Sequence, residues 1–482
     1  MSILPLMTVV CLAFFMSGCA AVGPNYTSPP ALQTPVEWTE ASGTAKAAAG
    51  LEQTAWWKTL NDPVLNQLIE KAVQGNLDIE QAQARIKQAR AELKVAGTGN
   101  IPTVNGAGSI TRQKESENAN IIGETSTLYT PGFDATWEID VFGSVRRSVE
   151  AAEAHVGASI EDLHDTQLTL LGDVTNYYVQ LRAAQEQLAI TRHNLEAQTE
   201  TANVTRERYR SGLTSYLDVA QAEAQKTTTA ADIPDYESTI KQSIHRLSIL
   251  TGQMPGTLSE QLIQTQPLPD CNGGLATGLP SELLTRRPDL RKAERNLAAA
   301  SADIGIATAD LYPKFDLTLG LGLNSNTISK LTSLSSGYWS LVPEVSALLF
   351  DGGKTRASVE KKQAVYDETL AAYKSAFLSA LEDVENALSS YTFAQIKRKT
   401  LAESVKSYKE TLLIAEEQYR KGLTNFLDVL VAQRSLYSAQ LNLSQSEAVI
   451  LTSFIRLNKA LGGGWKAVEV RGNTKRELFT QG

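Results

Sequence analysis

The sequence predicts an α+β membrane protein in which strands from several chains close one β-barrel, continuous with a long α-helical coiled coil. Three observations carry that prediction. The chain is written twice, each copy holds a helical seam too long for a globular helix, and two stretches alternate strictly between apolar and polar residues, with weaker alternation in two more.

The duplication is explicit. Glu207 to Val219 reads ERYRSGLTSYLDV and returns as EQYRKGLTNFLDV from Glu417 to Val429, with Tyr209 and Tyr419 210 positions apart. Phe142-Gly143-Ser144-Val145-Arg146 answers Phe350-Asp351-Gly352-Gly353-Lys354-Thr355-Arg356, and Asp78 and Pro102 answer Asp289 and Pro313 at a separation of 211. A period this long is no solenoid repeat. It describes one fold with two equivalent halves.

Within each half runs a seam with alternating three- and four-residue spacing. The first passes through Ile160, Leu163, Gln167, Leu170, Val174, Tyr177, Leu181, Ala184, Leu188, Thr191 and Leu195. Its mate runs from Leu370 through Phe377, Val384 and Tyr391 to Val405, with Arg398 as its one charged member. Alternation sustained this far is the signature of a coiled coil. No proline falls between Ser144 and Ser211, so one helix there would run about 100 Å at about 1.5 Å per residue.

Four strands are predicted at about 103–111, 128–141, 314–324 and 338–350. Phe315, Leu317, Leu319, Leu321 and Leu323 alternate with Asp316, Thr318, Gly320, Gly322 and Asn324; Phe133, Ala135, Trp137, Ile139 and Val141 alternate with Asp134, Thr136, Glu138 and Asp140. Period two gives one apolar and one polar face, the pattern of barrel strands with lipid outside and a wet lumen inside. Glu138 and Asp140, two apart, are expected to share the lumen face. Four strands cannot close a barrel, and open edges are not tolerated in hydrocarbon, so several chains must share one. The polar hairpin loops Arg112–Thr127 and Ser325–Gly337 would then lie outside the cell.

The first residues point to the compartment. Ile3 to Met16 is almost wholly apolar and too short to span a bilayer, so residues 1–18 are expected to be a secretory signal. It ends on Ser17-Gly18-Cys19, the arrangement of lipoprotein processing, which makes Cys19 the expected lipid attachment site. Cys11 would leave with the signal and Cys271 would stand alone, so no disulfide framework can form within one chain. With 45 basic and 53 acidic residues and a net charge of −8, nucleic acid is excluded as a partner.

Catalytic signatures are missing, and no enzyme activity is expected. His155, His164, His193 and His245 stand singly, without a His-Glu-x-x-His arrangement. Gly353-Lys354-Thr355 imitates the end of a phosphate loop, but Leu348 occupies the place of its required glycine. Neither a cofactor nor a metal is called for beyond the covalent lipid.

Several motifs together resemble the TolC family of outer-membrane factors, in particular its NodT-type efflux lipoproteins. They are Gly18-Cys19-Ala20-Ala21-Val22-Gly23-Pro24-Asn25-Tyr26, Trp56-Trp57-Lys58-Thr59-Leu60-Asn61-Asp62-Pro63, Arg286-Arg287-Pro288-Asp289-Leu290 and the duplicated tyrosine–glycine motif. The resemblance implies a homotrimer with a twelve-stranded barrel, four strands per chain, over a periplasmic helical tunnel. The domains would be a lipidated extended segment at 19–62, a first repeat at 63–253, an equatorial linker at 254–280, a second repeat at 281–461 and an equatorial tail at 462–482. The implied role is a passive exit duct in the outer membrane. A periplasmic adaptor would join it to an inner-membrane pump, by the NodT-type features one of the resistance–nodulation–division class. Type I protein secretion, or a non-conducting coiled-coil scaffold, are the competing roles.

The duplicated motif is expected to form two helix–turn–helix tips. Gly212 and Gly422 would supply the left-handed turn, and Thr214 and Thr424 are candidate caps of the following helices. By resemblance Gly212, Leu213, Thr214, Gly422, Leu423 and Thr424 form the adaptor-docking tips. Tyr419 and Asp428, with Tyr209 and Asp218 as first-half counterparts, would form the periplasmic gate. Val431 stands where many relatives carry a further carboxylate. The alternative for Asp218 and Asp428 is stabilisation of their helix starts.

Overall fold

A computed structural model describes residues 21–29, 34–40, 53–114, 116, 125–269 and 282–465. Residues 1–18, the expected signal segment, and Cys19 lie outside the described residues, as do most of the first hairpin loop, part of the 254–280 segment and nearly all of the tail. The main elements are α1 (Pro63–Gly75), α2 (Leu77–Gly97), β1 (Thr103–Lys114), β2 (Thr125–Glu138), α3 (Ser144–Arg210), α4 (Tyr216–Ala231) and α5 (Ile233–Leu250). They continue as α6 (Pro288–Ala309), β3 (Lys314–Leu323), β4 (Gly337–Ser346), α7 (Lys354–Arg420) and α8 (Phe426–Ala460). The two seams belong to α3 and α7, each 67 residues long.

Two compact units divide these elements, and each draws on both halves of the duplication. Among the described residues, one comprises those within 1–31, 84–161 and 291–375 and holds the sheet; the other comprises those within 32–83, 162–290 and 376–482.

In the first unit the strands pair antiparallel in the order β1-β2-β3-β4. The register sets Phe133 opposite Gly106 and Leu321, and Leu321 opposite Trp339. Because side chains alternate across a strand, this register gathers Val104, Ile110, Phe133, Leu321, Trp339 and Val345 on one face, all exposed. The opposite face carries Asn105, Asp134, Thr136, Glu138, Asp316 and Glu344. There Gly132 faces Gly322 in the register, and Tyr338 covers the pair: a Cβ on Gly322 would lie 2.8 Å from the Tyr338 ring. The aromatic ring thus shields backbone that has no side chain of its own.

β2 ends three residues earlier than the alternation suggested, and Asp140 does not line the polar face. Its carboxylate accepts from the backbone N–H groups of Val145 and Arg146 at 3.2 and 3.0 Å, satisfying donors at the start of α3 that have no helical partner. Asp351 does the same for α7, accepting from the Thr355 hydroxyl at 2.6 Å and backbone N–H at 2.8 Å, and these bonds hold its carboxyl below the usual range.

The start of the described chain is strapped onto this unit. Arg147, only 4% exposed, donates to the carbonyls of Val22 and Gly23 and to Asn25 Oδ1, and pairs with Glu150 at 2.6 Å. The Val22 N–H donates to the Phe142 carbonyl at 2.9 Å. Gly23 has φ +85°, and a Cβ there would stand 2.5 Å from Gly305 Cα. Only glycine permits both that conformation and that approach.

In the second unit an apolar core joins α1 through Leu65, Leu68 and Ile69 to α3 through Leu170, Val174, Leu181 and Leu188, and to α5 through Ile244 and Leu247. Trp56 packs edge-on to Phe454 of α8 at 6.1 Å. Asp62 accepts from the N–H groups of Val64 and Leu65 and from the Tyr178 hydroxyl at 2.6 Å, and burial pushes that phenol upward. Arg287 pairs with Asp289 at 2.7 Å and Asp383 at 3.1 Å and donates to the Ala460 carbonyl, tying the start of α6 to α7 and α8. Of the α7 seam in this unit, Phe377, Ala380, Val384, Ala387, Tyr391 and Ala394 are buried. Arg398 departs from it to pair with Glu447. The returning arms differ: α8 is unbroken, whereas Pro234 follows a break at Asp232. The Tyr437 hydroxyl pins that break, donating to Asp232 at 2.9 Å.

The two sheet faces generate a direct test. Leu319→Arg, on the apolar face, should hinder membrane insertion by about 2–4 kcal/mol near the bilayer midplane, and Thr318→Arg on the polar face should insert normally. Refolding into lipid vesicles measures both, and equal tolerance would contradict the assigned faces.

Candidate functional site

The duplicated motif forms two tips built to one plan. α3 ends in a Schellman turn: the Gly212 N–H donates to the Tyr209 carbonyl at 2.9 Å and the Leu213 N–H to the Arg208 carbonyl at 2.8 Å. Gly422 and Leu423 repeat it on Tyr419 and Gln418 at 3.0 and 2.9 Å. The glycines have φ +73° and +76°, with open space where a Cβ would stand. Leu213 and Leu423 are exposed at the turns.

The caps fall one residue later than expected. Ser215 and Asn425, not Thr214 and Thr424, accept from the N–H groups of Asp218 and Asp428, at 3.3 and 3.1 Å. A cap must be the last residue before the helical dihedrals begin, and that place belongs to Ser215 and Asn425. Thr214 and Thr424 instead donate their hydroxyls to the Asp218 and Asp428 carboxylates. Both acids therefore contribute to the starts of their helices, and Asp428 remains exposed.

The tyrosines diverge between the halves. Tyr209 is 44% exposed and leans on the exposed Tyr216 at 5.6 Å. Tyr419 is 8% exposed, packed on buried Phe426 at 5.6 Å, with the Arg208 guanidinium 4.7 Å above its ring. Tyr419 joins Ala202 of α3, Ala222 of α4, Ala415 of α7 and Val429 of α8 in a small core beneath the tips. Asp428 bonds within its own turn, so Tyr419 and Asp428 face different neighbours.

Arg208, Ser215, Asn425 and Phe426 were not singled out by sequence. The spacing Ser215-x-x-Asp218 and Asn425-x-x-Asp428, a capping-box pattern, could have revealed the caps. Nearby Glu223 pairs with Arg206 and with Lys226 at 2.6 Å, and Lys226 foremost holds its carboxyl below the usual range. Among the described residues no group of acidic, histidine or cysteine side chains could hold a metal ion.

The profile of the family described as "Outer membrane efflux protein" matches residues 68–253 and 279–463. Nodulation protein T of Rhizobium leguminosarum bv. trifolii is 31% identical over 465 residues, covering 95% of this chain and 97% of the relative. The pyoverdine export outer membrane protein OpmQ of Pseudomonas putida is 33% identical over 437 residues, covering 88% and 91%. Among solved structures, the outer-membrane channel OprN superposes with a TM-score of 0.88 at 34% identity, covering 92% of this chain and 100% of that one. The open state of the Neisseria gonorrhoeae MtrE outer membrane channel gives 0.82 at 27%, covering 93% and 99%.

The cap geometry sets an expectation. Asn425→Ala and Ser215→Ala should each lower stability by about 0.5–2 kcal/mol, and Thr424→Ala by less. Thermal denaturation in detergent measures this. A loss at Thr424 as large as that at Asn425 would return the cap to the threonine.

Proposed function

The chain belongs to the outer membrane efflux protein family, and from that membership we propose that three copies share one twelve-stranded barrel and form the outer-membrane exit duct of a tripartite efflux system. That it is an outer-membrane channel of an efflux system follows from the relatives across nearly its whole length. The observation that carries the assembly is the sheet. Four strands present an exposed apolar face and leave β1 and β4 with unpaired edges, and hydrocarbon tolerates such edges only when further strands close them.

The finer assignments rest on the tips. Gly212, Leu213 and Thr214, with Gly422, Leu423 and Thr424, present six turns around a threefold axis, which suits a ring-shaped periplasmic adaptor. The adaptor links the duct to an inner-membrane pump of the resistance–nodulation–division class, and the pump selects the cargo. Asp428, exposed beside its turn, forms the gate charge with its two symmetry mates, and Asp218 makes a smaller contribution. Tyr209 and Tyr419 are the gate's aromatic members: Tyr419 sets the packing of the two hairpins and Tyr209 stays exposed for a neighbouring copy. A lipid on Cys19 anchors the mature start to the membrane. The family's relatives are transport channels, and the chain acts by conduction, with no catalysis.

Recording single channels in planar bilayers tests the gate. Three crowded carboxylates attract multivalent cations, so hexamminecobalt should block the wild-type current from the periplasmic side. Asp428→Ala should lose the block and raise basal conductance, and Asp218→Ala should do less. An unaltered block in Asp428→Ala, accompanied only by lower thermal stability, would reduce Asp428 to a helix-start residue. For the anchor, Cys19→Ala should abolish acylation by mass spectrometry; normal lipidation of that variant would refute the assignment.

A further inference from the structure

Beside the unpaired edges of β1 and β4 stand three apolar residues with no cover: Ile101, Val104 and Phe350, exposed at 55%, 67% and 89%. The equivalent place in the other half of the duplication is filled. Phe142, which the repeat matches to Phe350 at a separation of 208, stacks on Tyr312 at 4.6 Å and lies 6.4 Å from Phe315. The separation of 211 from Pro102 to Pro313 matches Tyr312 to Ile101 and Phe315 to Val104. The chain therefore carries a second ring and a second seat, but on opposite edges of its sheet.

Building on the shared-barrel reading above, we infer that β4 of one copy joins β1 of the next in the register that β2 and β3 keep within a chain, with Phe350 seated on Ile101 and Val104 of the neighbouring copy. Transposing Phe133 opposite Leu321 places Leu341 opposite Ile110, and Thr136 opposite Thr318 places Glu344 opposite Ala107. Three features of the strands agree with it. The apolar faces coincide, since Leu341 and Ile110 both lie on the exposed apolar side, and a slip of one residue would break this. Every residue of β4 finds a partner within β1, from Gly337 opposite Lys114 to Ser346 opposite Asn105. The same register would give the Ala347 N–H just beyond β4 the Val104 carbonyl of the next copy as its acceptor, as the Ile139 N–H just beyond β2 has the Phe315 carbonyl at 2.8 Å. A slip of two residues keeps the faces but carries Phe350 off its seat. Phe350 is thus the element that selects among the registers the alternation allows.

Cysteine pairs read the register in the assembled, membrane-inserted protein. Directly opposed residues have Cβ atoms about 4.5–5.5 Å apart, against about 7–8 Å for diagonal neighbours. In a Cys271→Ser background, Glu344→Cys with Ala107→Cys should give covalent trimers on oxidation. Glu344→Cys with Asn105→Cys, or with Ser109→Cys, should give little, and single-cysteine controls none. Phe350→Ala should lower the temperature at which the trimer dissociates, with Phe350→Leu restoring most of it. Preferential cross-linking of either slipped pair would overturn the register, as would trimers that cross-link through none of the three pairs. Native mass spectrometry of the unoxidised protein separates the two levels: a trimer with the wrong cross-links removes only this inference, whereas a monomer removes the shared barrel as well.

Discussion

Every backbone N–H and C=O must be paired inside a bilayer, because hydrocarbon supplies no substitute for water. The four-strand sheet meets that requirement at its inner ladders and fails it at β1 and β4. Much else in the chain follows from this deficit. Strands alone could be completed only by other chains, so the sequence must also encode what sets copies beside one another. The duplication supplies that economically: a contact solved once within a chain can be used again between chains.

The two halves have nonetheless drifted where their surroundings differ. Tyr419 lies under Arg208, while Tyr209 is left open, and the position matched to Arg208 is Gln418, which offers no guanidinium. The return arm of the first hairpin breaks at Asp232 before Pro234, and the matched Asn442-Leu443-Ser444 continues as helix. Pseudosymmetry therefore holds for the backbone plan of the turns and gives way in the side chains that join one hairpin to the other.

What was legible in the sequence was what local pattern encodes. Alternation located four strands and the faces of β2 and β3, three-four spacing located α3 and α7, and glycine in a repeated context located both turns. Asp140 was misplaced because alternation does not register where a strand ends and a helix begins. The carboxylate serves orphan donors six residues on. Thr214 and Thr424 were mistaken for caps because a cap depends on where the dihedrals change, which composition leaves open by a residue. The burial of Tyr419 could not be read at all, since its cover comes from Arg208, far upstream on a different hairpin. The strap at Val22–Asn25 was visible as a motif, but its seat was not, because Arg147 and Gly305 reach it from distant positions.

That strap also orders events in time. Its seat includes Gly305, which lies in the second half of the chain, so Gly23 cannot dock until more than half of the polypeptide has been made. Contacts of such long sequence separation form late and slowly. Closure of the strap on Arg147 is therefore a marker of completion: it can exist only once both halves of the sheet-bearing unit are present and in place.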